Sequence, residues 1–192
     1  PRMSVYKDAA QAIREIFFQL TDRVEVVSID EAYLDVTHVD AFRGSATRMA
    51  QWLKQEALLQ TGVTLSIGVS VNKFLAKIAS DWQKPDGLFV IRPEEIEGFM
   101  SDLPVGRIPG VGKVTEQKLV NQGYETCGQL QQLSLQKLVE RYGKLGVMLY
   151  QRCRGEDYRE VVTERVRKSV SVEYTFADNK TVLADIEQEL DH

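Results

Sequence analysis

The chain has 192 residues, 43% of them hydrophobic, and a formal net charge of -4. That length allows one large domain or two small ones with real cores, and no apolar run approaches the roughly 20 residues that a membrane span needs. The mild acidity argues by itself against a polyanion partner, His38 and His192 cannot build a His/Cys zinc site, and Cys127 and Cys153 read as free, partly buried thiols of a reducing cytoplasm.

The opening PRMSVYKDAA lacks a signal-peptide h-region and an initiator Met, as expected of a fragment. Val5, Ala9, Ile13, Ile16, Phe17 and Leu20 share one helical face, which predicts a helix over 4–20. VEVVSI (24–29) and YLDVT (33–37) predict two strands, with a tight turn at Asp-Glu-Ala between them. Residues 45–60 are helical again, VTLSIGVSV (63–71) is β-rich, and NKFLAKIASDW (72–82) predicts a short helix ended by the KPDG turn. GLFVI (87–91) is a last strand. The first six of these elements match a split βαβ, ferredoxin-like unit whose opening strand is missing.

After Pro93 the β character stops. EEIEGFM, KVTEQKLVNQ, CGQLQQL, LQKLVERY and KLGVMLYQRC predict short helices separated by Gly. ERVR reads as a linker, KSVSVEYTF (168–176) as a strand, and 181–190 as a helix starting at Thr181. Charge is uneven along this half. Lys137, Arg141, Lys144, Arg152, Arg154, Arg159, Arg165, Arg167 and Lys168 form a basic stretch, and residues 169–192 are acidic. From charge alone this is more simply a solvated helix face than a phosphate-binding one.

Three motifs carry chemistry. In SIDEAYLD (28–35), Asp30 and Glu31 lie where one strand gives way to the next. Adjacent residues of a regular strand point to opposite faces, but at a tight turn two acids can converge. Their repulsion is relieved by a divalent cation, and hard oxygen donors with open positions suit Mg²⁺ shared with substrate phosphates. A bare Asp-Glu pair is otherwise an ordinary polar hairpin tip. In NKFLAKIASDWQKPDG (72–87), Lys73 and Lys77 share a helix face and Lys84 stands beside the Pro-Asp-Gly turn, each a point charge suited to phosphate. In RIPGVGKVTEQKL (107–119), Gly110 and Gly112 are expected to turn the backbone with positive φ. The helix start that follows presents free N–H groups and a positive dipole end to a phosphate, supplemented by Lys113 and Lys118. RYGKLG (141–146) looks like a degenerate second hairpin.

Together these motifs closely resemble the Y-family translesion DNA polymerases, on the DNA polymerase IV branch, from YKDAAQAIREIF through ERVRKSVSVEYTF. The resemblance implies an α+β fold. Residues 1–92 would be a ferredoxin-like polymerase palm lacking its first strand, 93–165 an all-α thumb with a helix-hairpin-helix, and 166–192 a linker and the start of an α+β little finger. It implies Asp30 as a metal ligand, Glu31 as the adjacent catalytic carboxylate, and Lys84 on the incoming nucleotide's triphosphate, with Lys73 and Lys77 as weaker candidates. Gly110, Gly112, Lys113 and Lys118 would hold DNA. Ser28, Tyr33 and Asp35 match the motif with structural roles, and Trp82, larger than the apolar residue expected there, should affect packing.

The implied reaction joins a deoxynucleoside triphosphate to a primer 3′ hydroxyl on primer-template DNA, with two Mg²⁺ about 3.5–4 Å apart. The family's other metal-binding Asp would precede Pro1, so the site is expected to be incomplete and the isolated fragment inactive. A sliding clamp would be met through regions absent here, and no membrane is implied. Two other readings stay open: a catalytically inactive polymerase-like DNA-binding or scaffold subunit, and a nucleotide cyclase, which would have no use for the helix-hairpin-helix.

Overall fold

The computed structural model describes residues 2–164. The expected strand at 168–176, the helix from Thr181 and the start of a little finger lie outside the described residues.

Helix α1 (Met3–Leu20) buries Ile16 against Leu53 and Ala57 of α2 (Ala46–Thr61). Ser45 caps α2 by accepting from the Arg48 N–H, and Gly62 ends it at φ 70°. Strands β1 (Val24–Val26) and β2 (Ala32–Leu34) form an antiparallel hairpin with Glu25 opposite Tyr33. Strands β3 (Ile67–Val69) and β4 (Leu88–Val90) run parallel, joined through α3 (Lys73–Trp82). A Cβ on Gly68 would lie 2.1 Å from the Ala76 carbonyl oxygen, so β3 meets α3 backbone to backbone.

The strands are shorter than their apolar runs, because extended residues become strand only where a neighbour pairs with them. The described residues form two separate two-stranded sheets. β2 and β3 both line one groove between them.

The second half is helical: α4 (Ile96–Asp102), α5 (Lys113–Val120), α6 (Cys127–Gln131), α7 (Leu135–Tyr142) and α8 (Lys144–Arg152). One buried cluster runs from Phe74 and Leu75 of α3 through Met100 and Leu119 to Leu149 and Cys153. Burial pushes the thiols of Cys127 and Cys153 up to about 12 and about 11, which leaves both unreactive.

Beyond α8 the chain turns back onto α3. The Phe74 N–H donates to Asp157 Oδ2 at 3.1 Å, at the positive end of the helix. Asp157, with a side chain only 1% exposed, also takes Arg152 at 3.0 Å and Arg159 at 2.8 Å. Asn72 donates to the Gly155 carbonyl at 2.8 Å while its Oδ1 caps α3.

Candidate active site and nucleic-acid interface

Asp30 and Glu31 sit in the loop between β1 and β2, which is closed by Val27 and Ser28 N–H groups donating to the Glu31 carbonyl at 2.9 and 3.2 Å. Both side chains are exposed and line the groove between the two sheets, together with Lys77 and Lys84. The Ser28 hydroxyl donates to Asp30 Oδ1 at 2.5 Å. That bond, helped by the charges of Lys77 and Lys84, holds the Asp30 carboxyl below the ordinary range despite some desolvation. Asp30 is therefore an anion at neutral pH. Ser28, read from the sequence as structural, orients it.

Glu31 forms an ion pair with Lys77. Lys77 lies 3.4 Å from Asp81, which in turn holds Lys84 at 2.5 Å. Four side chains thus alternate in sign in one chain of ion pairs: Glu31, Lys77, Asp81, Lys84. Burial alone would lower Lys77, but the hydrogen bond to Glu31 and the charges of Asp81 and Glu31 outweigh it and keep the ammonium charged. Burial would likewise raise Asp81, and Lys84 and Lys77 together hold it below the usual range. Asp81 escaped the sequence reading. Its spacing, four after Lys77 and three before Lys84, is the signal that could have found it.

Lys84 is half-exposed at the KPDG turn. The Lys54 ammonium pins that turn by pairing with Asp86 and donating to the Asp86 and Leu65 carbonyls at 2.8 and 2.5 Å. Lys73 is corrected by the structure. It is buried, paired with Glu25 at 2.6 Å, donating to the Glu160 carbonyl at 2.8 Å and lying over the Tyr33 ring. Glu25 also accepts from the Val162 N–H at 2.9 Å. A cation satisfied on every side has no donor left for a phosphate, so Lys73 ties the returning chain to β1. Lys77 is likewise engaged with carboxylates. Asp35 pairs with Arg23 at 2.9 Å and accepts from Thr37, as a hydrogen-bonded acid. Trp82 packs against Phe89 and Phe99.

Two carboxylates are hard oxygen donors, and a cation already sits on Glu31, so the pair fits a divalent ion in kind. Among the described residues there is no cluster of three or more potential ligands. The donor set is therefore partial.

The hairpin lies about α5. Gly110 has φ +97°, as expected. Gly112 does not: it is extended, φ -85° and ψ 170°, as the residue preceding α5. Any residue adopts that backbone, so the expectation of a positive φ there is corrected. A Cβ on Gly112 would meet nothing within 4 Å. The first helical bond runs from the Glu116 N–H to the Gly112 carbonyl at 2.9 Å, and no side chain caps the helix start. Helices α2, α3, α6 and α7 each carry a Ser, Asn or Thr cap, whereas α1, α4 and α8, like α5, have none. The early N–H groups of α5 thus face outward beside an open Gly surface, with exposed Lys113 next to them.

Lys118 lies over the Tyr142 ring at 5.2 Å, which brings α5 against the RYGKLG turn, where Gly143 has φ +59°. Much of the basic stretch is used internally. Arg152 and Arg159 serve Asp157, and Arg154 stacks on Tyr150 and donates to the Gln131 carbonyl at 2.8 Å.

Residues 1–81 match the impB/mucB/samB family, and residues 106–157 match the thumb domain of DNA polymerase-iota. The DNA polymerase IV of Francisella philomiragia is 54% identical over 184 residues, 95% of this chain and 53% of that protein. That of Ralstonia nicotianae is 47% identical over 190 residues, 99% of this chain and 53% of the relative. Among solved structures, the insertion ternary complex of Dbh DNA polymerase superposes with a TM-score of 0.76 at 34% identity, covering 83% of this chain and 47% of that one. DinB from Sulfolobus solfataricus gives 0.74 at 34% identity, with coverage of 83% and 47%. The chain spans about half the length of the curated relatives it matches.

Proposed function

Because the chain belongs to the Y-family DNA polymerases, on the DNA polymerase IV branch, we propose that it supplies the acid pair, the nucleotide lysine and the DNA-holding hairpin of a translesion DNA polymerase. The observation that carries this reading is the meeting of Asp30 and Glu31 with Lys84 in one groove, from two motifs far apart in sequence. In this reading residues 1–92 act as palm and 93–165 as thumb. The substrates are a deoxynucleoside triphosphate and primer-template DNA.

Each group has a part. Asp30, kept anionic by Ser28, and Glu31 provide oxygen ligands at the mouth of the groove. Asp30 and Glu31 would hold a divalent ion such as Mg²⁺, which would supply stabilisation of the ionised primer hydroxyl and of the charge on the phosphate. Lys84 reaches from its pinned turn to the triphosphate and helps hold the α-phosphate in line with the attacking oxygen. The N–H groups at the start of α5 grip a backbone phosphate and fix the duplex without reading its sequence. With only a partial donor set among the described residues, the chain alone is not expected to extend a primer. A sliding clamp would engage a longer polymerase through other regions.

The test grafts this chain in place of the matching segment of the Francisella philomiragia DNA polymerase IV. Asp30→Ala or Glu31→Ala should abolish primer extension and leave DNA affinity nearly unchanged. A variant that extends primers at close to the unaltered single-turnover rate would end the assignment.

A further inference from the structure

The alternating chain of ion pairs Glu31, Lys77, Asp81 and Lys84 has more in it than a nucleotide lysine. Lys77 rises from α3 with its side chain only 25% exposed and reaches Glu31. Its second seat is already present: Asp81 Oδ2 is 3.4 Å from the same ammonium. Asp81 is at the same time the partner of Lys84, at 2.5 Å. A divalent ion and an ammonium cannot both occupy the first contact of one Glu31 oxygen, since like charges at that range repel strongly. An ion that takes Glu31 Oε1, the oxygen Lys77 now holds, must move Lys77, and Asp81 is the carboxylate already beside it. When Lys77 settles on Asp81 Oδ2, its charge neutralises part of the carboxylate that holds Lys84 on Oδ1, so Asp81 gives up part of its hold on Lys84.

We propose that Lys77 is a positioning residue, an internal counter-ion that occupies Glu31 until a divalent cation arrives and then withdraws to Asp81, loosening Lys84 for the nucleotide. The inference rests on the reading of Asp30 and Glu31 as ion ligands. It links the two halves of the substrate. A cation on the acids frees Lys84 for phosphate, and by reciprocity phosphate on Lys84 frees Asp81 to receive Lys77 and so opens Glu31. The direction is set by charge: the more firmly Lys77 holds Glu31, the weaker the site is for an ion.

The test uses the chain as it is, with Mn²⁺ as the probe and free Mn²⁺ followed by its electron paramagnetic resonance signal. Lys77→Met keeps the length and removes the charge, and should tighten Mn²⁺ binding about tenfold. Lys77→Arg should return the affinity to that of the unaltered chain. Asp81→Asn removes the second seat and should weaken binding about threefold, an effect that shrinks once Lys77 is Met. Equal or weaker Mn²⁺ binding by Lys77→Met, or no binding by any variant, would overturn the role of Lys77. Asp30→Asn and Glu31→Gln in each background separate this from failure of the underlying reading. If they abolish binding while Lys77→Met behaves like the unaltered chain, only the counter-ion inference falls. If they leave Mn²⁺ binding untouched in every background, the acid pair is not an ion site and the functional reading falls with it.

Discussion

In the proposed reading, the groove and the hairpin would handle phosphate by opposite means. In the groove the proposed groups are charged side chains, Asp30 and Glu31 on one side and Lys84 on the other, linked by the ion pairs of Lys77 and Asp81. At the hairpin the proposed groups are backbone N–H groups, and the sequence contributes by leaving side chains out: no side chain caps α5, and a Cβ on Gly112 would meet nothing within 4 Å. A side-chain site fails when one charge is removed. A backbone site tolerates charge removal and fails when a Cβ is added. The two proposed sites would therefore have different mutational signatures.

The contrast can be broken at either end. Lys84→Ala, in the grafted polymerase, removes a charge-assisted contact worth about 1.5–3 kcal/mol, so nucleotide affinity should fall about 10- to 150-fold with DNA saturating. Unchanged nucleotide dependence would assign the triphosphate to other donors.

Asp157 tests the scaffold that both regions share. Its carboxyl is held at about 2 although burial acts to raise it, because Arg159 and Arg152 bond it. A depressed folded value means that the unfolded chain binds the proton more readily. The stabilisation is therefore complete above the unfolded value of 3.8 and is lost as pH falls through about 2. Asp157→Asn should lower stability at neutral pH by about 2 kcal/mol, and the gap should narrow at about pH 3. Urea midpoints at the two pH values measure it, and a gap independent of pH would show that the ion pairs contribute little.

At the hairpin, Gly112→Val should weaken DNA binding about tenfold, although no charge changes and the fold has room for the new side chain. Lys113→Ala should have the smallest effect, a reduction of about one in the log–log salt slope. If Lys113→Ala weakens binding more than Gly112→Val, the hairpin works by charge and the contrast fails.

The helices were largely legible because their limits are local. Ser134 caps α7 and Gly143, at φ +59°, ends it, so LQKLVERY became helix over the stretch its pattern marks. The strands were not, because pairing is decided by distant partners: VTLSIGVSV supplies only Ile67–Val69. Asp30, Glu31 and Lys84 stood out through their motifs. Asp81 and Asp157 did not, since an acid's role depends on which cations the fold brings to it. Lys73 looked like a phosphate ligand for the same reason in reverse: nothing in its neighbourhood in sequence announces Glu25 or the Glu160 carbonyl.

The central claim is that chemistry and DNA holding are separate, one made of side chains and one of backbone. The most direct measurement takes Glu31→Gln and Gly112→Val in the grafted polymerase and records two quantities for each: duplex affinity against salt, and single-turnover extension with DNA saturating. The expected result is a crossed pattern, in which Glu31→Gln loses extension and keeps affinity while Gly112→Val loses affinity and keeps extension once bound. Parallel losses of both quantities in both variants would contradict it.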